Sequence, residues 1–66
     1  MEKFVNKRIK IIKMVEETEP VAGGTWGTIV HFGGGVLDVA WDNGRTLGVI
    51  ADKDIYQIYD GDTRIK

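Results

Sequence analysis

The chain has 66 residues, a net charge of −1 and no cysteine. This excludes a disulfide-stapled scaffold and a thiolate metal centre, and it argues against a generic polyanion binder, which would be strongly basic. There is room for one domain and one small core, because a chain of this size buries only ~60% of the surface its unfolded form exposes. The bulk available for that core is Trp26, Trp41, Phe4, Phe32, Tyr56 and Tyr59.

Charge is unevenly distributed. Lys3, Lys7, Arg8, Lys10 and Lys13 face only Glu2 in the first fifteen residues, whereas nine acids follow against Arg45, Lys53, Arg64 and Lys66. The start of the chain therefore reads as a local basic stripe on an acidic body. Residues 9–15 are apolar but interrupted by Lys10 and Lys13, too broken for a signal peptide and too short for a membrane span. The expectation is a cytoplasmic chain with no membrane partner.

Taken in order, residues 1–6 read as a loose lead-in from which Phe4 and Val5 dock. Residues 8–14 form a first strand with Ile9 and Ile11 inward, and Ile12 breaks the alternation, as a bulge or a position covered from both sides would. Residues 15–24 carry Glu16, Glu17, Glu19 and Pro20 and end in Gly23-Gly24, which predicts a long irregular loop that is mobile or functional. Residues 25–32 are a second strand in which Gly27 marks a bulge or a close approach.

Gly33 to Gly35 make a mobile turn. The run from Val36 to Trp41 then alternates with Leu37, Val39 and Trp41 on one face, as in a half-buried strand. Asn43-Gly44 predicts a two-residue type I′ turn into a strand over 46–50. Residues 51–54 suit one helical turn capped by Asp52, and 55–59 make a last strand that Asp60-Gly61-Asp62 ends. Trp41 and Tyr56 fall on inward faces, and Tyr59 on the face opposite Tyr56. The prediction is an all-β fold, a five-stranded SH3-like small barrel with a long first loop and one short helical turn before the last strand. It is one domain over 1–66, with the barrel at 7–59 and a tail at 60–66.

Gly24, Thr25, Gly27, Thr28 and Ile29, followed by Val39, Trp41, Asp42, Asn43, Gly44, Arg45 and Leu47, resemble the signature of a small domain family of bacterial, phage and mobile-element chains. That signature reads G-T-x-G-T-V … V-x-W-D-N-G-R-x-L, and Arg8 to Ile11 and Tyr56 to Ile58 fit its outer strands. The resemblance covers residues 7–59 and implies an SH3-like barrel, with no catalytic residues to carry over. Two features depart from the pattern: Trp26 fills the variable slot between the Gly-Thr pairs, and the glycine run loosens the following turn.

Chemistry-bearing residues are few. His31 is the only histidine and has no cysteine to join it, so an ordinary strand histidine is favoured over a metal ligand. Gly33 to Gly35 lead into a strand, unlike a phosphate cradle, which opens a helix. Asp42 reads as a turn residue rather than the partner of Asp38 in acid–base work. The chain has no serine, and Thr25, Thr28 and Thr46 lack a placed histidine. No enzyme, metal or cofactor is expected.

The main reading is an interaction module binding another protein through Glu16, Glu17, Glu19, Trp26 and Tyr59. An acidic rim would favour a basic partner. Trp26 reads equally as packing that enlarges the core. A second reading is nucleic-acid binding through Lys7, Arg8, Lys10 and Lys13, joined by Arg64 and Lys66 if the first and last strands pair. Edge lysines that block aggregation explain the same charges. A third is a homodimer burying Ile12, Val30 or Trp26.

Overall fold

The computed structural model describes all 66 residues, from Met1 to Lys66. It is an all-β chain with strands β1 (Arg8–Lys13), β2 (Trp26–Gly33), β3 (Val36–Trp41), β4 (Val49–Ile50), β5 (Ile55–Asp60) and β6 (Thr63–Arg64). The strands form one antiparallel sheet in the order β4-β3-β2-β1-β5-β6. Nothing pairs β4 with β6, so the sheet is not a closed five-stranded cylinder: it has six strands and two free edges.

Alternation explains the core. Ile9 and Ile11 of β1, Ile29 of β2, Leu37, Val39 and Trp41 of β3, Val49 of β4 and Ile58 of β5 share one buried cluster. Phe4, Met14 and Val21 close it from outside the sheet. Gly27 is a close approach and not a bulge. A Cβ there would lie 2.5 Å from Val39 Cγ1 and 2.9 Å from Trp41 Cε3. The β2 bulge falls instead between Ile29 and His31, leaving Val30 52% exposed. The expected break at Ile12 is a bulge against β5, with Ile12 40% exposed.

The turns differ from expectation in an instructive way. At Asn43-Gly44 only Gly44 has positive φ. Gly44 N–H donates to the Trp41 carbonyl at 2.9 Å, and Trp41 N–H to the Arg45 carbonyl at 3.0 Å. This is a three-residue loop with a glycine bulge, not a two-residue type I′ turn. The Asn43 side-chain oxygen accepts from Arg45 N–H at 3.0 Å, which favours that geometry. The positive φ at both central positions that a type I′ turn needs occurs at Gly34 and Gly35, between the paired Gly33 and Val36.

Strand β4 is correspondingly shorter than the predicted 46–50. Val36 still faces Ile50 and Leu37 faces Val49, in the register set at Trp41 and Arg45. Between these points ladder pairing lapses, and the Trp41 indole N–H donates to the Leu47 carbonyl at 2.6 Å.

Both ends of the chain are more ordered than a lead-in and a tail. Glu2–Phe4 form a 3-10 turn, Phe4 is buried, and Asn6 N–H donates to the Ile29 carbonyl at 2.7 Å. Gly61, at φ +60°, starts a tight reversal that pairs Asp60 with Thr63 and Tyr59 with Arg64. Residues 51–54 form a turn and not a helix. Asp54, rather than Asp52, anchors it by accepting from Ile50 N–H at 2.8 Å and Val15 N–H at 2.9 Å.

Candidate functional site

Inward residues of β1, β2 and β5 are consumed by the core, so their alternate residues share the outer face. Thr28 faces Arg8, Arg8 faces Tyr59, and Tyr59 faces Arg64 across four neighbouring strands. In the next row Trp26 faces Lys10 and Lys10 faces Gln57. Asp42 joins this row just beyond β3, its N–H bonded to the Trp26 carbonyl at 2.9 Å.

Trp26 and Tyr59 lean toward each other diagonally over β1, with ring centroids 4.9 Å apart and planes tilted by 57°. Such tilted pairs add to simple area burial. The Arg8 guanidinium and the Lys10 ammonium each lie 5.9 Å from the Trp26 ring centre. Arg8 is held by Thr28 Oγ1 at 3.0 Å and by both oxygens of Asp42, the first at 2.9 Å. This fork keeps the Asp42 carboxyl below its usual pKa and raises that of Arg8, in both cases chiefly through the hydrogen bonds. The Tyr59 hydroxyl donates to Gln57 Oε1 at 3.0 Å. Trp26 and Tyr59 are half-buried, and no polar side-chain atom is left buried without a partner.

The residues singled out from the sequence separate into groups. Trp26, Tyr59, Arg8 and Lys10 are brought together. Lys7 lies apart, paired with Asp60 at 3.4 Å, and Lys13 stands opposite Ile55 past the bulge. Lys66 sits over Tyr56 rather than beside Arg8. The acidic loop turns to other partners. Glu16 pairs with Lys53 at 2.9 Å, and the Glu17 carboxylate accepts from Glu19 N–H at 3.3 Å. Arg45 clamps the loop by donating to the Glu19 carbonyl at 2.6 Å and the Pro20 carbonyl at 2.9 Å. Thr28, Asp42 and Gln57 belong to the face and were not expected there, while Arg64, named with the basic residues, joins it opposite Tyr59. The signal for Asp42 was simple alternation, since it follows inward Trp41.

Each residue of the Trp41 to Arg45 stretch has a structural task. Trp41 fills the core and holds Leu47, Asp42 holds Arg8, and Asn43 and Gly44 shape the turn. Arg45 fastens the long loop. His31 Nδ1 lies 3.1 Å from Asp38 Oδ2 as an exposed cross-strand pair, and no three His, Cys, Asp or Glu side chains converge. An open groove of about 370 Å³ between Glu2, Val5, Val30, His31 and Phe32 lies on another part of the surface. No helix is long and apolar enough to cross a membrane.

No curated protein and no solved structure matches the chain. A family model does, over residues 4–59, and it spans the strands, the clamped loop and the Trp41 to Arg45 turn described above. The chain belongs to that family, described as the domain of unknown function DUF4314.

Proposed function

We propose that this chain is a non-enzymatic interaction module, an SH3-like small barrel left open at its edges, that binds another protein through the Trp26–Tyr59 face. The strand order, with the fifth strand beside the first and the next three meandering away, supports the barrel reading. The observation that carries the binding reading is the half-exposed Trp26–Tyr59 pair raised on three central strands. Rigid aromatics on a scaffold supply contact area at low entropy cost. The two hydroxyls of the face are already engaged, Thr28 by Arg8 and Tyr59 by Gln57.

Capture of a partner from cell extract by the immobilised chain tests this. Tyr59→Ala and Trp26→Ala should each abolish capture while keeping a cooperative thermal transition, and Val30→Ala in the separate groove should retain it. Equal capture by all three variants refutes the reading.

Single-stranded nucleic acid is the second reading, favoured by the two cations over the Trp26 ring. It is weakened by pairing, since Asp60 engages Lys7 and Asp42 occupies one edge of Arg8. A homodimer through exposed Ile12 or Val30 is the third, read out by sedimentation at high concentration.

A further inference from the structure

The outer face has spare capacity for anions. Arg8 uses Nη1 toward Thr28 and Asp42, and Nη2 toward Asp42. Its Nε–H and second Nη2–H have no acceptor within the protein. Those two donors point in parallel and match the two oxygens of a carboxylate. Lys10, in the next row, has no ion-pair partner, and the Arg64 side chain bonds only to the Lys66 carbonyl. With Asp42 set against Arg8 and Arg64 turned onto the Lys66 carbonyl, Lys10 is the cation of the face with no ion-pair partner.

We propose that this face binds an acidic, extended segment of a partner protein. One carboxylate sits on the free Nε/Nη2 edge of Arg8, another on Lys10, and an apolar side chain lies against the Trp26–Tyr59 pair. The proposal rests on the protein-binding reading above and reverses the partner charge that the acidic loop implies. Of the loop carboxylates, Glu16 is engaged by Lys53 and Glu17 by the loop backbone, and the Glu19 main chain is held by Arg45. A nucleic acid offers the same anionic chemistry but fits less well. Tyr59, Arg8 and Lys10 already lie around the Trp26 ring and leave less of it for a stacked base.

The test is fluorescence anisotropy at low salt with three labelled probes: a peptide of repeated Glu-Glu-Leu, its Lys-Lys-Leu counterpart, and oligothymidine of similar length. The acidic peptide should bind tightest, and binding should weaken as salt rises. Lys10→Gln should weaken it about tenfold, and Arg8→Lys, which keeps the charge but removes the fork, by several-fold. Both variants should retain the wild-type fold by circular dichroism. Preference for the basic peptide, with dependence on Tyr59, would overturn the acidic partner and leave the protein-binding face standing. Tighter binding of oligothymidine through Lys10 would overturn it in favour of nucleic acid. Absence of binding by the acidic peptide overturns it outright, and the capture experiment then decides the broader reading separately.

Discussion

Arg8 and Asp42, thirty-four residues apart in the chain, are joined by two parallel hydrogen bonds on the outer face of the sheet. The contact ties β1 to the turn beyond β3 and orients the guanidinium beside Trp26. Because the Asp42 carboxyl is held below its ordinary 3.8, the stabilisation it provides is present above that value. It is lost as the pH falls through the lowered folded-state value. Asp42→Asn should flatten the acid limb of stability against pH. Urea midpoints read by tryptophan fluorescence between about pH 6 and pH 2 would show it. Parallel acid limbs in the two proteins would contradict the contact.

Arg45 reaches across to the carbonyls of Glu19 and Pro20, twenty-five or more residues earlier. Arg45→Ala should cost about 1 kcal/mol, since the bonds are charged but open to water. Its clearer effect should be local. Amide exchange over residues 15–24 should quicken while β1 and β3 remain protected, as measured by hydrogen–deuterium exchange.

Gly27 has no room for a methyl group between Val39, Ala40 and Trp41. The nearest obstacles include the Ala40 carbonyl at 2.9 Å, which cannot rotate away. Gly27→Ala should therefore destabilise by about 3 kcal/mol through overpacking. Gly24→Ala meets no atom within 4 Å, so any cost there comes only from its positive φ. Paired urea denaturations compare them directly.

Phe4 is only 8% exposed, although it lies in what the sequence presents as a lead-in. Phe4→Ala should cost about 3–5 kcal/mol, as for other buried aromatics. In a domain this small that loss nearly exhausts the stability. A thermal transition shifted by only a degree or two would show that the first six residues are not part of the core.

These cases mark what local pattern can reveal. Alternation placed β3 and the core positions Ile9, Ile11 and Trp41, and the break at Ile12 marked the bulge. Turn chemistry was harder to read. Asn43-Gly44 carries the type I′ signal, but the Asn43–Arg45 bond selects a three-residue loop. Gly34-Gly35, read as slack, takes the tight form. β6 was missed because Asp60-Gly61-Asp62 looks like a stop when too few residues follow to show alternation.

The face itself was half legible. Trp26 and Tyr59 could each be marked as outward or exposed. Their meeting, however, depends on the register of β1 with both neighbours, which no local window contains. No local window shows either that Glu16 pairs with Lys53 and that the Glu17 carboxylate accepts from the loop backbone.

The most direct test is a proton–nitrogen correlation spectrum of the labelled chain, titrated with the Glu-Glu-Leu peptide. The account predicts progressive shifts at Arg8, Lys10, Gln57, Tyr59, Arg64 and the Trp26 indole, with residues 16–19 and 30–32 unmoved. Shifts confined to the glutamate loop or to the Val5–Val30 groove, with the Trp26 indole fixed, would contradict it.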